Sequence, residues 1–325
     1  MSKPAFCNAI EKSRAFDLIR NDFSAGLGHA YMVVSPDDET VDTFFTLVAA
    51  TLFCKNGNAC FECAECKKVL HENHADVFHV NRKRDKIKVE DISQMLSGIS
   101  VKSLSGKKIY FVHRADLMNV QAQNKLLKTF EEPPQDVTVF LGVANEAAML
   151  DTVKSRSRTV YIDLFDEQTV YGELRAMGCE EELCAIASAC CEGQLGKAYK
   201  IAHSPEYTEL YNAAIALLKG LNRSSDIVKV DSDVIAQKNM NGFLDVLSII
   251  LRDMLVVKQN EDLMLSKHIS KEIIELSGGY SSHALAQILM LINDVRRKLS
   301  LNVNATATLD SLLFSILEVR HKWQR

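Results

Sequence analysis

Between Lys107 and Val160 the apolar positions switch between two periods. Ile109-Tyr110-Phe111-Val112 is a short unbroken run of β-branched and aromatic residues, the pattern of a buried strand. Helical spacing follows through Leu126, Leu127 and Phe130. Glu131-Glu132-Pro133-Pro134 stops that helix, because proline lacks an N–H and pushes its predecessor out of the helical region. Val137–Leu141 is a second strand; a polar turn at Asn145, a short helix and the basic pair Arg156 and Arg158 follow. Strand, helix, strand, helix predicts a parallel sheet with helices on its faces. Upstream, residues 9–27 predict one helix ended by Gly26 and Gly28, His29–Val34 a first strand and Val77–Val80 another. A further helix is expected from about Val89.

From Leu164-Phe165 onward the pattern is helical only. Three short helices are expected across 166–205, and a linker at His203-Ser204-Pro205 leads into a last all-α region. There Phe243–Val257 carries an apolar stripe of Leu244, Leu247, Leu251, Met254 and Leu255, and Leu285–Leu299 and Leu309–Val319 repeat the pattern. The division expected is an α/β domain over 1–165, a small helical domain over 166–205 and an α-helical domain over 206–325. A chain of 325 residues suits such a plan, since one core rarely grows that large.

Composition narrows the function classes. Hydrophobic residues make up 47% and charged residues 25%, the values of an ordinary globular protein. A net charge of -4 argues against coating nucleic acid by bulk charge. No apolar run approaches the roughly 18 residues of a membrane span, and the first residues lack the apolar core of a secretory signal. The expectation is a cytoplasmic protein with no membrane partner. Arg82, Lys83, Arg84, Lys86 and Lys88 form a local basic run, expected as a solvated turn, with contact to a DNA phosphate as the other reading.

Cys54, Cys60, Cys63 and Cys66 are spaced C-x5-C-x2-C-x2-C. In a reducing compartment this is a metal pattern, and four thiolates suit a closed, tetrahedral, structural Zn2+ site. His71 and His74 lie nearby but are not needed as ligands, and His74 is expected to mark the entry to a strand. Cys184 and Cys191 are seven residues apart, hence on one helical face, and are expected as small core residues.

The run Asn124-Lys125-Leu126-Leu127-Lys128-Thr129-Phe130-Glu131-Glu132-Pro133-Pro134, followed by Ser155-Arg156-Ser157, resembles the AAA+ subunits of DNA clamp loaders. Their signatures are LLKTLEEPP and a later SRC, and Ser157 stands where cysteine is usual. The resemblance implies an AAA+ α/β domain with an inserted zinc module, a helical lid and a C-terminal collar. It also implies a P-loop after the first strand, whose backbone amides surround phosphates and whose lysine and hydroxyl meet phosphate and magnesium. Here that segment is Ser35-Pro36-Asp37-Asp38-Glu39-Thr40-Val41-Asp42-Thr43. Asp38 and Thr40 replace glycines, Val41 stands at the lysine position and Asp42 at the hydroxyl position. Asp37, Asp38, Glu39 and Asp42 would then face a polyphosphate with no ammonium to offset them, so no ATP is expected to bind. His113-Arg114-Ala115-Asp116 likewise lacks the Asp-Glu pair of a working ATPase, and Lys197 replaces the lid's sensor arginine.

The same resemblance gives Arg156, with Ser155 beside it, the role of an arginine finger acting in trans on a neighbour's ATP. The chain is then expected to be no enzyme by itself but a non-hydrolysing member of the clamp loader in the DNA polymerase III holoenzyme. Its expected partners are gamma/tau and delta subunits in a hetero-pentameric ring and, through the complex, the sliding clamp and primed DNA. The alternative is an ATP-hydrolysing subunit of the gamma/tau type.

Overall fold

Five strands form a parallel sheet in a computed structural model that describes residues 3–203, 205–227, 230, 232–264, 270–301 and 303–323. They are β1 (Ala30–Val34), β2 (Val77–Val80), β3 (Lys108–Val112), β4 (Val137–Val143) and β5 (Arg158–Tyr161), in the order β2-β3-β4-β1-β5. Every residue of β3 and β4 is buried, which is why both read as continuous apolar runs rather than as alternations. Tyr110, Val112, Val139 and Leu141 face a core completed by Ile92 and Met95 of helix Val89–Ile99 and by Leu126 and Phe130 of helix Val120–Glu131. On the other face Phe111 and Phe140 meet Phe45 of helix Asp38–Phe53, with ring centroids 4.5 and 6.2 Å apart. That helix lies so close to β4 that a Cβ on Gly142 would come within 2.9 Å of Val41.

The single helix expected over 9–27 is two, Cys7–Glu11 and Arg14–Ala25. Ser13 adopts an extended backbone and its hydroxyl accepts from the Phe16 N–H, a cap that starts a second helix. Gly26 follows with φ +97°, so the glycine stop holds.

The chain divides into two compact units. The first comprises 1–177 and 193–197, and holds the sheet and the helix Glu167–Ala176. The second comprises 178–192 and 198–325 and is helical, including Glu181–Cys190, Pro205–Gly220, Ser232–Val256, Ser282–Ser300 and Ala305–Lys322. Leu244, Leu247, Leu251 and Met254 of the predicted stripe are fully buried there, as are Cys184 and Cys191. The helix Ser232–Val256 is interrupted at Asn239, whose backbone leaves the helical region. Ser204 of the predicted linker lies outside the described residues. No helix among the described residues is long and apolar enough to cross a membrane.

Candidate functional site

Only Ser35, Pro36 and Asp37 separate β1 from the helix that begins at Asp38. No loop long enough to wrap a phosphate chain follows the strand. A helix N-terminus attracts anions through its unpaired N–H groups and its dipole. Here the chain's own Asp37, Asp38 and Glu39 occupy that end. The Asp37 carboxylate accepts from Thr40 Oγ1 at 2.6 Å and from the Gly196 N–H at 2.7 Å. Burial pushes this carboxyl up, with Glu39 beside it adding to the effect. A Cβ on Gly196 would sit 2.5 Å from Asp37, so glycine is required for this approach. Thr40 and Val41 are buried, and Val41 packs on the sheet rather than facing outward.

The remaining carboxylates are not left to repel one another, contrary to the expectation that no cation offsets them. Asp42 lies 2.8 Å from Arg84, 3.2 Å from Arg82 and 2.8 Å from Nδ1 of His113. Asp38 lies 3.4 Å from both Arg84 and Arg114, and Arg114 pairs with the buried Asp116 at 3.0 Å. Burial opposes ionisation of Asp42, but His113 and the two arginines outweigh it and hold its carboxyl below the usual range. The basic run is a turn, with Asn81 and Arg84 at positive φ, but it is not merely solvated. Arg82 and Arg84 are turned onto the acidic helix, and Arg82 also pairs with Glu72. Behind them His113 Nε2 lies 3.0 Å from His79 Nδ1, and burial, with Arg82 adding to it, pushes His79 down to about 3.

The four cysteines converge, with all sulfurs within 4.8 Å of one another. Cys54 Sγ accepts from the N–H groups of Asn56 and Cys60, Cys60 Sγ from Cys63, and Cys63 Sγ from Cys66. Burial works against the Cys54 thiolate, but these backbone donors pull its pKa down to about 6, whereas burial pushes the Cys66 thiol up. Four thiolates this close cannot all ionise without a cation among them. The donor set therefore fits a soft divalent ion and could hold one. His74 is engaged elsewhere: it meets Glu65 at 3.3 Å, accepts from the Asp76 N–H and packs on Phe53.

Arg156 follows helix Asp151–Lys154 in the chain and reaches the end of helix Val120–Glu131, just before the proline stop. Its Nη2 is 2.8 Å from Glu131, its Nη1 donates to the Thr152 carbonyl, and its side chain is 36% exposed. Ser155 turns its hydroxyl onto the Thr152 carbonyl and Ser157 onto that of Val153, so both close the turn that presents Arg156. Arg158 instead pairs with Asp22. The pairings made by Glu131, Arg84, Arg114 and His79 are not legible in the sequence. The visible signal was charge balance, a cluster of acids at 37–42 answered by a cluster of bases at 82–88.

Residues 12–166 match the family model described as DNA polymerase III, delta subunit. The chain is 24% identical over 325 residues to DNA polymerase III subunit delta' of Bacillus subtilis, covering 96% of this chain and 94% of that protein. It is 30% identical over 156 residues to DNA polymerase III subunit gamma of Buchnera aphidicola, covering 46% of this chain but only 42% of that relative. Among solved structures, a DNA polymerase III gamma subunit-related protein of Thermotoga maritima aligns with a TM-score of 0.44 at 16% identity, over 94% of this chain and 99% of that one. Along almost its whole length, then, this chain is similar to the delta' subunit of DNA polymerase III.

Proposed function

We propose that the chain is a non-hydrolysing, delta'-type subunit of the DNA polymerase III clamp loader, helping to load the sliding clamp onto primed DNA. It binds no ATP and supplies Arg156 to the ATP site of a neighbouring motor subunit. The observation that carries this reading is the ion-paired pocket: where a working P-loop offers amides and a lysine to phosphate, this chain offers Asp37, Asp38, Glu39 and Asp42. Its own Arg82, Arg84 and Arg114 are spent on those acids. A triphosphate entering here would have to break that network and then face its carboxylates. Arg156, by contrast, is half-exposed and keeps N–H groups for another oxygen. The three-part division at 165 and 205 and the collar role of the last part belong to the same reading, with gamma/tau and delta subunits as ring partners.

The test is the ATPase of a reconstituted complex carrying Arg156→Ala. An arginine finger contributes about a thousand-fold or more, so the DNA-stimulated rate is expected to fall by that order with the complex still assembled. An unchanged rate would remove the finger. The gamma/tau-type reading is favoured by a relative named gamma, which matches 46% of the chain. It requires ATP binding by this chain.

The cysteine cluster is read as a structural Zn2+ site held by Cys54, Cys60, Cys63 and Cys66. A closed shell of four thiolates supplies folding energy and leaves no position for water activation. About one zinc per chain is expected by metal analysis. Its removal by a chelator should lower the melting temperature, and a metal-free preparation of unchanged stability would contradict the assignment.

A further inference from the structure

Glu131 is the last residue of helix Val120–Glu131, and Pro133-Pro134 prevent the helix from continuing. An acid is out of place there. The C-terminal end of a helix carries partial negative charge from its unpaired carbonyls, so a carboxylate at that end is unfavourable unless a cation answers it. Lys128 lies in the same last turn, but the cation paired with Glu131 is Arg156, whose Nη2 lies 2.8 Å from Glu131 Oε1.

The two residues come from different elements. The Arg156 backbone is fixed by the turn after helix Asp151–Lys154: its N–H donates to the Val153 carbonyl, and its carbonyl lies 3.2 Å from His29 Nε2. Its side chain is directed from two sides, by the Thr152 carbonyl on Nη1 and by Glu131 on Nη2. A long side chain on an open surface otherwise samples many rotamers, and each must be given up when it docks on a phosphate. Two anchors on one fork fix the plane of the guanidinium and leave its other N–H groups for a ligand.

We infer that Glu131 is a positioning residue for Arg156, holding the guanidinium in the orientation it uses across the subunit boundary. This rests on the reading of Arg156 as a finger. The Glu-Glu-Pro-Pro segment then has a purpose beyond stopping a helix: the prolines fix where the helix ends, and so where the carboxylate stands. Glu131 touches no substrate and acts only through Arg156.

The test compares four chains in the reconstituted complex, with magnesium-ATP and primed DNA: the parent, Arg156→Ala, Glu131→Ala and Glu131→Gln. Glu131→Ala is expected to lower kcat about ten-fold with KM for ATP and complex assembly unchanged, a partial loss of the kind that misplacement of a catalytic group causes. Glu131→Gln, which keeps an acceptor oxygen at the same place, is expected to recover most of the rate. Glu131→Ala added to Arg156→Ala should cause no further fall, since one residue acts through the other. If Arg156→Ala lowers the rate and Glu131→Ala does not, or if the two losses multiply, the positioning role is wrong and the finger stands. If Arg156→Ala itself leaves the rate unchanged, the finger fails and Glu131 is only a partner in a surface ion pair.

Discussion

Two corners of the sheet-containing unit hold arginines against carboxylates, and they differ in how far each arginine is consumed. At the start of helix Asp38–Phe53, Arg82, Arg84 and Arg114 share Asp38, Asp42 and Asp116, and His113 adds a further contact. Each of these guanidinium side chains is about 30% exposed, and each faces more than one acid or an acid with several partners. At the other corner Arg156 meets one half-exposed carboxylate. The chemistry is the same in both. What differs is saturation: a network of charges closes a site to others, whereas an arginine held by one exposed carboxylate keeps further N–H groups open to another partner.

That difference can be sharpened by substitution. The largest effect is expected from Arg156→Ala, and it should fall on the rate of the assembled complex and not on the fold: a stability change within about 0.5 kcal/mol is expected for so exposed a pair. A large loss of stability by denaturant titration would mean that Arg156 is a structural residue like those of the other corner.

Next in size is an acid effect at the closed corner. His79 is held down to about 3, first by burial, against an ordinary value near 6.5. Its folded value is depressed, so below about pH 6.5 the unfolded chain takes up a proton that the folded chain refuses. The contribution to stability is therefore complete above that pH and is lost as pH falls toward 3, by up to about 1.4 kcal/mol per unit. Between pH 7 and pH 5 the parent should lose about 2 kcal/mol more than His79→Gln. Parallel pH profiles for the two chains would exclude His79 as the cause.

The smallest effect is Arg84→Ala, which removes contacts to Asp42 and Asp38. It should cost about 1 kcal/mol of stability, since the pairs are partly screened and Arg82 and His113 remain on Asp42. The ATPase of the complex should not change. A loss of rate equal to that of Arg156→Ala would erase the distinction between the two corners.

Much of the sheet was legible because β3 and β4 are buried on both faces, and burial on both faces writes itself as an unbroken apolar run. The stop at Pro133-Pro134 and the convergence of the four cysteines were legible for a similar reason, since each is set by residues close together in the chain. The break at Ser13 was hidden because apolar spacing continues across it, and only the serine's side-chain cap separates the two helices. The pairing of Arg84 with Asp42 spans 42 residues and that of Arg114 with Asp38 spans 76. Charge pattern shows that such acids need partners but not which bases reach them. That depends on β2 and β3 lying side by side, with the 81–88 turn and the Arg114 turn opening at the same end of the sheet. Glu131 and Arg156 were both visible as motif residues, yet their contact was not, since it is made by two turns that meet only in the folded chain.

The most direct measurement is calorimetric titration of the isolated chain with magnesium-ATP. With its own carboxylates and arginines filling the end of the helix after β1, the chain should show no binding heat. Micromolar binding, abolished by Asp42→Ala or not, would contradict a chain that lends an arginine to a neighbour while holding no nucleotide itself.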